Sequence, residues 1–180
     1  MRRHCMIDLE TMGIAANAAI VSIGATIFDH SQILDRFYLP VNLRSCTDFG
    51  LSTSPSTVEW WNKQSDEARN AWNTPDAPSL VSALMDFHKW IKPIGQDIKR
   101  IATWGNGVDF DIVILKSAYD VIQIDPPWMY YNQCCFRTMK NMFSVDPLIR
   151  RGTHHNALDD AEHQTNHLHK IIKDHHLILS

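Results

Sequence analysis

Polar and apolar positions alternate in the stretch "MIDLETMG", which begins at Met6. Side chains of an extended chain point alternately to opposite faces, so Met6, Asp8 and Glu10 share one face and Ile7 and Leu9 the other. The pattern predicts a strand with two carboxylates on one side, their backbone positions about 6–7 Å apart. A longer β-rich run, "AAIVSIGATIFD" (Ala18–Asp29), and "SQILDRFYLPV" after a short polar turn predict two further strands. Connections this short leave no room for crossovers, so the three strands are expected to run antiparallel in sequence order.

Helical spacing follows. In "SPSTVEWWNKQSDEARNAW" the residues Trp61, Ala68 and Trp72 recur at helical intervals, and Ser56 and Glu59 have capping-box spacing. A second helix is expected from near Pro78, with Leu80, Leu84, Phe87 and Ile91 as its apolar stripe and Pro93 as its stop. "RIATWG" reads as a strand, and "FDIVILKSAYDVI" as a helix with Leu115, Ala118 and Ile122 inward. "WMYYNQCCF" is expected to hold a fifth strand. The last helix starts near Asn156 and carries Ala157, Ala161, Gln164 and Leu168 on one side. Three strands followed by alternating helices and strands imply an α/β fold: one domain over residues 1–180, with a mixed sheet and helices on both faces.

Composition narrows the class. With 44% apolar and 21% charged residues the chain reads as a globular protein, and no apolar run approaches the roughly 18 residues of a membrane span. The opening "MRRHCMIDLE" has basic residues but no signal-peptide core, so a cytoplasmic location is the expectation. Cys5, Cys46, Cys134 and Cys135 show no C-x-x-C spacing and are expected to be reduced core thiols. The 17 basic against 20 acidic residues argue against gripping long duplex DNA by charge alone.

The acids carry the candidate chemistry. Besides Asp8 and Glu10, "GNGVDFDIVIL" and "THHNALDDAEHQ" place acids where helices begin, the region in which open α/β sheets gather their sites. Asp111 falls four residues before Leu115, and Asp160 one before Ala161, so both belong near the inward side. Four carboxylates facing one place repel one another and lose hydration. Hard divalent cations reverse that sign, and carboxylates suit Mg²⁺ or Mn²⁺. Asp109 and Asp159 read as helix caps or first-turn acids matching the helix dipole. The histidines other than His154 and His155 read as solvated surface.

In this order the three segments resemble the DnaQ-like 3′→5′ exonucleases with the DEDDh signature, which have a ribonuclease H-like fold. D-x-E is Asp8-Leu9-Glu10, N-x-x-x-F-D is "NGVDFD" and selects Asp111, and H-x-A-x-x-D is "HNALDD" and selects His155 and Asp160. The resemblance runs from about Met6 to His169. "STVEWWNKQSDEAR" is similar to a segment of the phage and prophage exonuclease VIII-like branch and of a related bacterial exoribonuclease. The resemblance implies a five-stranded sheet, three antiparallel strands and then two parallel. It also implies a two-metal site for Mg²⁺ or Mn²⁺: Asp8 bridges the ions, Glu10 and Asp160 complete the first, and Asp111 supports the second. His155 would act as the general base, near its working pH with an ordinary pKa of about 6.5. The substrate would be a single-stranded RNA or DNA 3′ end, and the product a nucleoside 5′-monophosphate.

Substrate contacts implied by the resemblance are Thr11 and Met12 just after Glu10, with Asn106 and Phe110 from the second motif. For Phe110 a place in the core is the competing reading. Lys140, Arg150 and Arg151 read either as phosphate contacts or as solvated surface. Trp60 and Trp61 read as core, interface or substrate residues. A homodimer is expected, with the segment from Val58 to Trp72 offering large side chains of the interface kind. Two rivals remain. A histidine–aspartate metal phosphohydrolase is suggested by "HH" and "DD", but the β-rich first 41 residues oppose a mostly helical fold. A non-catalytic nucleic-acid-binding module on the same fold is opposed by all five motif positions being filled.

Overall fold

A computed structural model describes residues 3–93 and 96–179; Met1 and Arg2 of the basic opening stretch lie outside them. Five strands, β1 (Arg3–Thr11), β2 (Ile20–Phe28), β3 (Ile33–Pro40), β4 (Ile101–Gly105) and β5 (Gln133–Cys135), form one sheet in the order β3-β2-β1-β4-β5. The β1–β2 and β2–β3 pairs are antiparallel, and β1–β4 and β4–β5 are parallel, as the sequence pattern and the resemblance led us to expect. β1 is central, so its C-terminal end opens beside that of its parallel neighbour β4. Crevices at strand carboxyl ends are where such sheets place their sites.

Alternation along β1 divides the core in two. Cys5, Ile7 and Leu9 enter a large cluster with Leu84, Phe87, Ile101, Leu115 and Tyr119. Met6 enters a second, with Phe28, Trp104, Phe136, Ala161, Leu168 and Ile171. The first cluster draws on α4 (Leu80–Ile91) and α5 (Asp111–Val121), the second on α6 (Phe136–Met142) and α7 (Ala157–Asp174). Helices therefore cover both faces, and Asp8 and Glu10 point to the α7 side with Met6. No helix among the described residues is long and apolar enough to cross a membrane.

Gly24 sets how close α7 can come. It stands opposite Asp8 in the β1–β2 register, and a Cβ there would lie 2.0 Å from the carbonyl carbon of Ala157. Backbone cannot move aside as a flexible side chain can. Gly24→Ala is expected to lower stability by about 3 kcal/mol, roughly 6–12 °C in Tm for a chain of this length, and to displace Asp160. Thermal denaturation beside an activity assay checks it, and an unchanged Tm would refute the close approach.

Several local expectations need correction. The tryptophan-rich helix is two helices, α2 (Pro55–Asn62) and α3 (Asp66–Trp72), broken at residues 63–65. Pro55 lacks an amide and takes the first turn, so the helix starts after Ser54 and the Ser56–Glu59 capping box does not form. Ser65 caps α3 instead, accepting from the Ala68 amide at 3.2 Å. Trp61 and Trp72 still meet across the break, with ring centroids 5.4 Å apart. α4 begins after Ser79, whose hydroxyl caps it, and Ile122 lies half-buried just past the end of α5. Two helices carried no periodic signal: α1 (Leu43–Asp48) and α6 are short, and each buries one residue, Cys46 and Phe136. Cys5 and Cys46 are core thiols, but Cys134 and Cys135 are only half-buried. Nor are the histidines simply solvated: His4 is buried, and His88, His163, His167 and His169 are half-buried. His169 is held to the Asp29 carbonyl at 2.8 Å.

Candidate active site

Three elements deliver the acids to one cleft of about 270 Å³, lined by Asp8, Leu9, Glu10, Asn106, Phe110, Asp111, Arg137, His155, Asp160 and Gln164. β1 supplies Asp8 and Glu10 just before its register shifts between Glu10 and Thr11. α5 supplies Asp111 in its first turn, where Oδ1 accepts the Leu9 amide at 3.1 Å. This bond ties the second motif to the first across the sheet. β4 ends at Gly105, where a Cβ would stand 3.3 Å from the Asp111 carboxylate, so the strand leaves room for that acid. α7 supplies Asp160, whose Oδ2 accepts the His155 amide at 3.1 Å.

Burial and mutual repulsion dominate the electrostatics. Asp8 is held well above the usual carboxylate range by loss of hydration first, then by Asp111, Glu10 and Asp160. The Gln164 amide opposes this, donating from Nε2 to Asp8 Oδ1 at 2.6 Å. Glu10 is pushed up to about 8 by burial and by Asp160 and Asp111, against the nearby Arg150 charge. Burial raises Asp111 to about 7 although backbone amides favour its charge. His155 is lowered chiefly by burial, with His154 and Arg150 adding and Asp160 opposing, which favours the neutral imidazole.

His155 sits in the segment before α7 with φ 63°, a left-handed conformation in which histidine is among the more frequent non-glycine residues. Its ring meets Trp60 edge-on, centroids 4.7 Å apart, and lies 6.4 Å from Trp61. Trp60 is 39% exposed and Trp61 2%. Of the candidate interface segment, Trp61 and Ala68 thus face inward and Trp60 flanks the cleft. His154 is exposed. One ligand atom each from Glu10, His155 and Asp160 lie within 4.8 Å of one another.

Not every expected contact reaches the cleft. Asn106 and Phe110 line it, whereas Thr11 and Met12 do not. Thr11 is 6% exposed, its hydroxyl donates to the Gly13 carbonyl at 2.7 Å, and its carbonyl accepts from Trp61 Nε1 at 2.9 Å. Met12 gives its carbonyl to the Ser54 amide at 2.6 Å and lines a neighbouring hollow with Trp61 and Trp72. Asp109 is exposed, and Asp159, in the first turn of α7, accepts the Thr153 amide at 2.7 Å and so ties down the preceding segment. The α7 cap is Asn156, which accepts from the amides of Leu158 and Asp159.

Three residues at the cleft went unassigned or undecided in the sequence. Gln164 read only as part of a core face, although one helical turn past Asp160 is the spacing that brings a side chain to the same place. Arg137 carried no signal; it donates from Nη2 to the Asn106 carbonyl at 2.5 Å. Arg150 pairs with Asp160.

Solved structures share this fold over nearly the whole chain. E. coli exonuclease I in complex with a dT13 oligonucleotide superposes with TM-score 0.67 at 13% identity, over 96% of this chain and 41% of that one. The nuclease domain of 3′hExo, a DEDDh family member bound to rAMP, superposes with TM-score 0.62 at 15% identity, over 99% of this chain and 95% of that one. Fold and motifs define the class as a DnaQ-like 3′–5′ exonuclease domain of DEDDh type. Within it, residues 3–172 match the 3′-5′ exoribonuclease Rv2179c-like domain, and the chain belongs to that family. The exodeoxyribonuclease of Enterobacteria phage T4 is 30% identical over 128 residues, which cover 66% of this chain and 56% of the phage protein. The chain thus matches little more than half of that relative's length, and both matches agree with the DnaQ-like exonuclease resemblance.

Proposed function

We propose that this protein hydrolyses single-stranded nucleic acid from the 3′ end in a metal-dependent reaction, releasing nucleoside 5′-monophosphates. The observation that carries the reading is the convergence of Asp8, Glu10, Asp111, Asp160 and His155 on one cleft. The acids suit cations: buried carboxylates so near one another are held above their ordinary range, and oxygen donors of this kind match Mg²⁺ or Mn²⁺. Asp8, Glu10 and Asp160 would hold one ion and Asp8 with Asp111 a second. Two such ions, when bound, supply charge that eases ionisation of the attacking water and stabilises the leaving 3′ oxygen.

The rest falls to the chain's own groups. His155, whose neutral form burial favours, takes the proton of the attacking water at an imidazole nitrogen; the new P–O bond forms as the bond to the 3′ oxygen breaks. Gln164 orients Asp8 through its amide, and Asn106 lines the cleft just past the end of β4, where a substrate would meet it. Trp60 walls the cleft beside His155 and offers a ring edge or face to the terminal nucleotide.

The family is described by exoribonuclease activity and the phage relative by exodeoxyribonuclease activity, so the sugar is open to direct test. Matched RNA and DNA oligonucleotides, 5′-labelled, are incubated with Mg²⁺, Mn²⁺ or EDTA. The expected result is a ladder shortened from the 3′ end, 5′-monophosphate products and no reaction in EDTA. Internal cuts, 5′-end release or full activity in EDTA would refute the reading.

A further inference from the structure

Both oxygens of Asp160 are engaged within the protein. Oδ2 accepts the His155 amide, and Oδ1 is held by Nη2 of Arg150. The pair is shielded, with 21% of the Arg150 side chain and 19% of the Asp160 side chain exposed. Yet Arg150 Nε is buried without a hydrogen-bond partner. A permanent arginine–carboxylate link commonly uses two parallel N–H bonds, and this one does not. Residues 144–156, which carry Arg150, form no helix or strand, so the side chain can swing without disturbing an element of the fold.

A guanidinium on Asp160 Oδ1 stands where the proposed function puts a divalent cation, and the two like charges exclude each other. Once displaced, the guanidinium would remain near Asp160, at a cleft that the α6 residue Arg137 also lines. The anion that must enter there is a phosphodiester, for which a planar guanidinium is well matched.

We propose that Arg150 is a displaceable counter-ion: it neutralises Asp160 while no cation is bound and, once released by the incoming cation, turns its guanidinium to the phosphate of the substrate. This rests on the metal-dependent reading above. Its rival is a structural tie that merely fastens the 144–156 segment to α7.

Mn²⁺ binding without nucleic acid, followed by calorimetry, separates them for the wild type, Arg150→Gln, Arg150→Lys, Arg151→Gln and Asp8→Asn. Arg150→Gln is expected to bind Mn²⁺ about tenfold more tightly, a gain of about 1.4 kcal/mol, because nothing need be displaced. Its Tm should fall in EDTA, where Asp160 loses its partner, and recover in Mn²⁺. Arg150→Lys should lie between, and the exposed Arg151→Gln should bind as wild type does. A single-stranded oligonucleotide with a 3′-terminal phosphorothioate linkage, in Ca²⁺, should bind Arg150→Gln several-fold more weakly. Unchanged or weaker Mn²⁺ binding by Arg150→Gln would overturn the proposal in favour of the tie. Equal tightening in Arg151→Gln would overturn it in favour of a general field effect. Tighter Mn²⁺ with undiminished oligonucleotide affinity would overturn its substrate half. Wild-type Mn²⁺ affinity in Asp8→Asn is a separate failure, that of the metal site itself.

Discussion

Asp8→Asn is expected to leave no measurable 3′-end hydrolysis while the protein stays folded. The substitution keeps the side chain's shape and an oxygen for the Gln164 amide, but it removes the charge that the proposed pair of cations would need. It also removes one of the mutually repelling carboxylates that burial and crowding hold above their ordinary range. Without metal the variant should therefore gain stability, by at least about 1 kcal/mol or roughly 2–4 °C in Tm. The pH dependence has a definite sign. Asp111 and Glu10, held at about 7 and about 8, bind protons in the folded state that the unfolded chain has already lost. Their contribution to stability in EDTA is complete below their ordinary range near pH 4 and is lost as pH rises through pH 7–8. Melting curves across that window should fall for the wild type and fall less for Asp8→Asn. A folded Asp8→Asn protein that cleaves near the wild-type rate would end the two-metal assignment.

His155→Asn is expected to slow hydrolysis by about 10²–10⁴-fold and to leave Mn²⁺ affinity nearly intact. Asparagine is the better substitution than alanine because φ at this position is 63°, a conformation asparagine tolerates and alanine does not. It keeps the backbone bond to Asp160 and removes only the imidazole that would accept a proton. His154→Asn, at an exposed position, should cost far less. Single-turnover rates of both variants, beside Mn²⁺ titrations, check the pair. Reversed effects would put the proton acceptor one residue earlier. Parallel loss of Mn²⁺ affinity in His155→Asn would instead make the imidazole a ligand, as its nearness to Glu10 and Asp160 permits.

Local pattern went far in this chain because its strongest signals have short periods. The two-residue alternation from Met6 to Glu10 already divided β1 between two cores and placed both acids on one face. The helical period of Ala157, Ala161, Gln164 and Leu168 likewise marked the buried side of α7. Motif spacing singled out Asp111 over Asp109 and His155 over His154, and in each case the chosen residue lines the cleft while its neighbour is exposed. Each of these readings needs only a few consecutive residues, because a side chain's direction follows from its own backbone.

Other features depend on segments far apart in the chain and emerge only when those segments pack together. Gly24 looked like any strand glycine until the backbone of Ala157 lay against it. Thr11 and Met12 follow the first motif, but Trp61 and Ser54 take up their carbonyls and turn them from the cleft. The tryptophan-rich segment kept one helical period through a break, because proline and serine chose the starts of two helices while Trp61 and Trp72 packed together regardless. Gln164 on Asp8 and Arg150 on Asp160 are pairings of polar groups at the cleft. Residue order sets which side-chain types and faces are present; packing of the whole chain sets which of them meet, because contact energies act over a few ångströms of space and not along the chain.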